Sequence, residues 1–436
     1  MKKTSFLLVF LFPLILNAQS YTSYFTGNAT DSIALPESGI CMMGGATEND
    51  SAMVWFLKRC KGGDVLVLRA SGSDGYNDYL YSDLGISVNS VESIVFNQAA
   101  AANEPYIHQK IRQAEAIWFA GGDQWDYVSY WRNTAIDSLI NDGIKNRNIV
   151  IGGTSAGMAI LGSAYFTAKN GTVTSSEALS NPYNTKVQVD TNAFIALPRL
   201  KNIITDTHYD NPSRKGRHIA FLARIMTDYG IEAKGIACEE YTAVCITPEG
   251  IASVYGSYPS RQDKAYFIQA NCEEDPRFPE NCSAGEALTW NRNQQALKVF
   301  AVYGTKTGAN YLDLNDWQTG SAGSWENWYV NNGILATVTS VPINCSGLSV
   351  DENPNEYGLG LFPNPANDEI QFTGIHPEII QAEIFTTGGD CVSKVLFNDS
   401  LNPTMDISML RNGMYFMKVQ YRTQKTEVLK FIKSGN

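Results

Sequence analysis

The chain has 436 residues, more than one average domain needs, so two to three domains are expected. Hydrophobic residues at 44% and charged residues at 18% exclude a disordered chain and call for packed cores. A formal charge of -11 excludes a general nucleic-acid binder, which needs a basic surface to displace counterions from phosphates.

The first twenty residues read MKKTSFLLVFLFPLILNAQS. Lys2 and Lys3 head an apolar run from Phe6 to Leu16, the length of a signal-peptide core and too short to span a bilayer. Residues 1–19 are therefore expected to be a signal peptide, with cleavage near Asn17-Ala18-Gln19, and the protein is expected outside the cytoplasm.

Residues 30–345 are expected to form one α/β domain with an irregular C-terminal extension. Within it DVLVLRA, AIWFAGG and NIVIGGT are short apolar runs, as expected of strands buried on both faces. Helical patterns alternate with them: SAMVWFLKRC, EPYIHQKIRQAE, one stretch from about Asp126 to Gly143, and RKGRHIAFLARIMTDYG ending at Gly230. This alternation predicts βαβ units and a mostly parallel sheet. TAVCITPEGIASVYG predicts a hairpin turning at Pro248-Glu249-Gly250. From about 310 the chain is rich in Asn, Gly, Ser and Trp and is expected to be irregular, leading to a linker over 346–357. Residues 358–436 carry short alternating segments such as EIQFTG, QAEIFTT, GMYFMKVQY and EVLKFIK, which predict a small β-sandwich.

Eight cysteines in an exported chain permit disulfides. Cys272 and Cys282, flanking a Pro-rich loop, form the best local pair, and Cys238 and Cys245 can face each other across a bend. His108, His208, His218 and His376 make no HExxH pattern, so neither a metal site nor a cofactor is expected.

The chemistry centres on GGTSAGM. Gly153-Thr154-Ser155-Ala156-Gly157 fits G-x-S-x-G at a strand end, where a tight turn lifts a serine hydroxyl above the sheet. The N–H groups that follow, Ala156 first, can hold a developing oxyanion. A serine needs a base, and His208 follows the apolar strand NIITDT, whereas His218 lies inside a helical stretch as a surface or core residue. The chain order serine, acid, histidine makes Glu177 the candidate acid, with Asp190 and Asp206 as alternatives. Asp206 lies two residues before His208, on the same face of an extended strand, where it can contact substrate instead. AIWFAGGDQW gives a second glycine turn, in which Gly122 can donate an N–H, Asp123 can cap the turn and Gln124 can add an amide donor. Arg214 and Arg217 open the next helix and suit a substrate carboxylate.

Three separated segments, GGTSAG, AGGDQ and DTHYDNPSRKGR, resemble the cyanophycinase and aspartyl dipeptidase family of serine peptidases, with MGGATEND and AMVWFLKRCKGGDVLVLRASGS extending the likeness over roughly residues 38–260. The resemblance implies a flavodoxin-like α/β fold related to class I glutamine amidotransferases. It implies Ser155 as nucleophile, His208 as base, and an acid carried to Glu177. Gln124, Asp206, Arg214 and Arg217 fall on its substrate-contact positions. Such enzymes cleave beside aspartyl residues, and cyanophycinases release β-aspartyl-arginine dipeptides from an aspartate–arginine polymer. The implied partner is thus a peptide or polyamide substrate with aspartyl residues, and a homodimer is allowed. Two positions depart from the cyanophycinase pattern: Pro212 stands where an arginine is expected, and Thr207 stands in the middle of the aspartate-glutamine-histidine motif. GLGLFPNPANDEIQF, IFTTGGDCV and LRNGMYFMKVQYRTQKTEVLKFIKS, within 358–436, resemble a type IX secretion sorting domain. That resemblance implies the type IX secretion machinery as a partner and a secreted or cell-surface location.

Overall fold

The computed structural model describes residues 19–345 and 359–434, apart from 374–377, 387–388, 398–403 and 423–425. The expected signal peptide up to Ala18, the expected linker 346–357 and His376 lie outside the described residues. Two units are distinguished, one ending at Asn344 and one beginning at Cys345.

The first unit opens with strands β1 (Tyr21–Gly27) and β2 (Gly39–Met43), helix α1 (Asp50–Arg59), and strands β3 (Asp64–Arg69) and β4 (Ser90–Phe96). Then come α2 (Pro105–Gln113), β5 (Ala116–Phe119), α3 (Gln124–Trp131), α4 (Ala135–Arg147), β6 (Val150–Thr154) and α5 (Ala156–Ala159). The single helix expected from Asp126 to Gly143 is thus two. Asn133 is left-handed at φ 58° and the Thr134 hydroxyl accepts the Ile136 N–H at 3.2 Å, so a new N-cap restarts the helix. The next elements are β7 (Tyr165–Phe166), α6 (Ser175–Ser180), β8 (Val189–Asp190), β9 (Ile203–Asp206), α7 (Lys215–Tyr229) and β10 (Lys234–Cys238). The hairpin β11 (Ala243–Ile246) and β12 (Ile251–Tyr255) follows, as its turn residues predict.

β4-β3-β5-β6-β2 form a parallel core, flanked by antiparallel β1 on one side and the hairpin on the other. These strands are buried on both faces because helices cover them, which explains their continuous apolar runs. Ala52, Met53, Phe56 and Leu57 of α1 pack with Cys41, Val65, Val67 and Trp118 of the strands.

The extension beyond the hairpin is more regular than its composition predicts. β13 (Lys264–Ala270) and β14 (Leu297–Tyr303) are followed by β15 (Asn310–Asp313), β16 (Gly320–Ser321), β17 (Gly323–Asn331) and β18 (Ile334–Thr339). β13, β14, β17 and β18 add antiparallel strands to the parallel pair β9–β10, making a second, six-stranded sheet. Its core gathers Ile219, Phe221 and Leu222 of α7 with Ile268, Val299 and Trp328. Cys272 is disulfide-bonded. The two expected pairings are not formed: Cys282 is a free thiol, and Cys238 and Cys245 are free and buried on different sheets, Cys245 lying 3.6 Å from Cys41.

In the second unit a three-stranded sheet (Gly360–Phe362, Glu369–Thr373, Thr404–Asp406) and a four-stranded sheet (Ile379–Thr386, Cys391–Leu396, Gly413–Tyr421, Thr426–Lys433) share one core. Ile370, Phe372 and Met405 from one meet Ile384, Met417 and Phe431 from the other, the two-layer packing that strict alternation predicts.

Candidate active site

β6 delivers Ser155. Beyond Thr154 the chain turns sharply, and Ser155 takes φ 51° and ψ -117°, a conformation costing about 1–3 kcal/mol for a residue with a side chain. Close packing holds it there. A Cβ on Gly157 would lie 2.0 Å from the Phe119 carbonyl oxygen, and one on Gly153 would lie 2.6 Å from the Gly157 carbonyl carbon. Both glycines of G-x-S-x-G are therefore required by contact. The Ser155 N–H donates to the Met43 carbonyl at 3.1 Å, tying the elbow to the end of β2.

β9 delivers His208, and β10, parallel to it, delivers Glu240. The His208 N–H donates to the Gly44 carbonyl at 2.8 Å, and the Tyr241 N–H to the Gly45 carbonyl at 3.2 Å. The Gly44-Gly45 turn thus grips both neighbours. Gly45 is left-handed at φ 116°, and a Cβ there would come within 2.4 Å of the His208 ring. The Asp210 carboxylate accepts the Glu240 N–H at 3.0 Å.

The three side chains stand in line. Ser155 Oγ is 2.9 Å from His208 Nε2, and His208 Nδ1 is 2.7 Å from Glu240 Oε1. A carboxylate only accepts, so Nδ1 carries the proton it donates to Glu240, leaving the Nε2 lone pair for the serine hydroxyl.

Glu177, expected behind the histidine, lies elsewhere. It forms a capping box with Thr174 at the start of α6, and its carboxylate meets Lys186 at 2.8 Å. The hydrogen bond from Lys186, with those from Thr174, lowers its pKa to about 2. The alternatives are engaged as well: Asp190 pairs with Arg132 at 2.6 Å and Asp206 with Arg217. The Thr-x-x-Glu spacing before α6 is the sequence signature of that capping box. Glu240 carries no such motif; its signal is its place just beyond the buried run KGIAC.

A cleft of about 320 Å³ opens beside Ser155. Gly122, Ala156, Gln124, Arg214 and Arg217 are on its wall. The Tyr127 hydroxyl donates to the Ala120 and Gly121 carbonyls, at 2.9 and 3.0 Å, and fixes the Gly121-Gly122 turn against the serine. The Asp123 carboxylate caps α3 by accepting the Trp125 N–H at 2.8 Å. The Gln124 amide donates to the Phe166 carbonyl, so one wall is pinned to the other.

Asp206 does not reach the cleft as a substrate contact. It is buried and holds Arg217 by a fork, with Nε at 2.8 Å and Nη2 at 2.5 Å. Burial pushes its pKa up, but the Arg217 charge and hydrogen bonds outweigh this and hold it below the usual carboxylate value. Arg217 is therefore neutralised and fixed, with its third nitrogen 3.1 Å from the Thr172 hydroxyl. Arg214 donates to the Thr207 carbonyl at 3.1 Å and forms no ion pair among the described residues. It is thus a cationic side chain of the cleft wall not engaged with a carboxylate among the described residues. His218, in contrast, is wholly buried in α7.

A serine on a strand-to-helix elbow, an imidazole in line and a carboxylate behind it have the form of a nucleophilic-serine site on an α/β fold. Comparison with known proteins makes the class more particular. Residues 74–254 match the model of peptidase family S51, and residues 360–434 match the secretion system C-terminal sorting domain. Cyanophycinases of Synechococcus elongatus and Thermosynechococcus vestitus are each 25% identical over 179 residues, 41% of this chain and 51% of theirs. The chain thus spans about half the length of the curated relatives it matches. A peptidase from an acI-B1 actinobacterium aligns with 53% of this chain and 91% of its own, at 15% identity and a TM-score of 0.38. The sorting-domain match supports a secreted or cell-surface location.

Proposed function

We propose that the protein is an exported serine peptidase that hydrolyses amide bonds beside aspartyl residues, with Ser155, His208 and Glu240 as nucleophile, base and orienting acid. The observation that carries the reading is the unbroken hydrogen-bond chain from Ser155 Oγ through the imidazole to Glu240. The peptidase family S51 match supports the reaction class, and the likeness to cyanophycinases supports an aspartyl polyamide such as cyanophycin. The type IX secretion machinery is the export partner that the sorting domain suggests.

In this reading Ser155 Oγ attacks the scissile carbonyl while His208 Nε2 takes its proton. The Glu240 carboxylate stabilises the imidazolium that forms. Gly122 and Ala156 line the cleft beside the serine, and in this reading their N–H groups receive the oxyanion. The C–N bond then breaks, and His208 returns the proton to the leaving amine. Water, activated by the same imidazole, cleaves the acyl ester and regenerates the serine. Arg214 holds the aspartyl carboxylate, its guanidinium lying on the cleft wall with no ion pair among the described residues.

Incubation with cyanophycin and with β-aspartyl dipeptides tests this. The wild type is expected to release amino acids or dipeptides, and Ser155→Ala to lower kcat by about 10⁴-fold or more. Turnover of neither substrate by the wild type would refute the substrate class. Turnover by Ser155→Ala at the wild-type rate would remove the serine from the chemistry.

A further inference from the structure

A second cleft of about 500 Å³ lies beside the one at Ser155. One short segment divides the two. Phe166 and Ala168 face the serine cleft, while Thr167 and Lys169 face the second. The segment leaves β7 at Phe166 and turns at Ala168, left-handed at φ 53°, and a single wall thereby serves both clefts. The adjoining end of α3 is divided in the same way, with Gln124 on the serine side and Trp125 on the other.

The wall is preformed. The Thr167 N–H donates to the Gln188 carbonyl at 2.8 Å, the Asn170 amide to the Thr185 carbonyl at 2.7 Å, and the Gln124 amide to the Phe166 carbonyl. The charges of the second cleft are unequal. Three cations line it, Arg132, Lys169 and Arg224, against one carboxylate, Asp190. Arg132 is paired with Asp190 at 2.6 Å, and Arg224 with Asp228 at 2.7 Å. Lys169 forms no ion pair among the described residues; its ammonium stands 5.3 Å from the centre of the Trp125 ring. In a chain of net charge -11, an exposed cation on a tryptophan platform beside the active-site cleft is set apart from its surroundings.

We propose that this second cleft is a subsite for an acidic residue of an extended substrate, distant from the scissile bond, with Lys169 meeting that residue's carboxylate. The proposal rests on the peptidase reading, and it separates the handling of polymers from that of dipeptides. A dipeptide occupies only the cleft at Ser155, whereas an acidic chain crossing the wall fills both.

Binding and turnover give independent tests. In a Ser155→Ala background, a poly-L-aspartate of about twenty residues is titrated calorimetrically at low salt. Lys169→Ala is expected to weaken binding about three- to fivefold, and Lys169→Glu further. With Ser155 intact, both variants should raise KM for acidic peptides of several residues and leave kcat/KM for β-aspartyl dipeptides unchanged. Equal poly-aspartate affinity in all three proteins would overturn the subsite. So would a loss on dipeptides as large as that on longer chains, because Lys169 would then act at the scissile bond. The titration involves no turnover, so it decides the subsite even if no aspartyl amide is cleaved, an outcome that would refute only the peptidase reading.

Discussion

Ser155 and His208 both occupy left-handed backbone, at φ 51° and φ 46°, but they are held there by different means. The serine is held locally. Its glycine neighbours Gly153 and Gly157 pack on each other and on β5, so five consecutive residues specify the elbow. The histidine is held from a distance, by a turn more than 160 residues earlier in the chain and by a carboxylate just beyond the end of the next strand. A local device tolerates change elsewhere in the fold. A long-range one depends on both sheets keeping their registration at Gly44-Gly45.

Glu240→Gln breaks the long-range side most directly. It keeps the shape but removes the charge that stabilises the imidazolium and selects the tautomer, so kcat should fall by about 10³–10⁴-fold. Glu177→Gln is the matched control, since it alters a helix cap outside the cleft, and its kcat should stay within about twofold of the wild type. Steady-state kinetics on one substrate separates the two. Equal losses would return the acid to Glu177.

Gly45→Ala probes the grip itself. The added Cβ would sit 2.4 Å from the His208 ring in a backbone conformation that L side chains rarely adopt, so the imidazole must move away from Ser155. A displacement of about 1 Å at a reacting group can cost about 10²-fold in kcat, and that is the expected loss. Gly75→Ala, where a Cβ would meet nothing within 4 Å, should leave kcat unchanged. If Gly45→Ala retains full activity, the turn does not position the base.

The same contrast explains what was legible in the sequence. The elbow is a local pattern after a buried strand, and its residues can be read directly. His208 is readable as the histidine beyond the strand IITD. Glu240 is not legible from the chain order serine, acid, histidine, because here the acid follows the histidine. The clue was present in the βαβ unit of β9, α7 and β10, which sets the C-terminal ends of two parallel strands side by side. Asp206 departs from its expected place for a related reason. Alternation puts it on the face of His208 only if the strand continues, and the left-handed turn at His208 ends that alternation. The second sheet is not legible in the sequence because its added strands are separated by long polar loops, which mask the periodicity of β13, β14 and β17.

The base–acid side carries a further dependence that the serine side lacks. His218, wholly buried in α7, bonds β9 through its ring: Nε2 lies 3.2 Å from the Ile204 carbonyl and Nδ1 3.2 Å from the Tyr209 hydroxyl. The carbonyl must accept, so Nε2 carries the proton and Nδ1 accepts from the tyrosine. Burial lowers its pKa to about 4, against the opposing pull of the Asp206 carboxylate and with a smaller push from Arg217. The unfolded chain takes up this proton below about pH 6.5, and the folded protein only near pH 4. Between those values the unfolded state binds more protons, so stability falls as pH falls, by about 3 kcal/mol across the window. Urea unfolding at pH 7.5, 6, 5 and 4.5 should show this slope in the wild type. In His218→Gln the slope should be flatter by that amount even if the variant is less stable at pH 7.5, because Gln has no proton to gain. Parallel slopes in the two proteins would mean that another group governs the acid loss and that the strand carrying His208 is not weakened through His218.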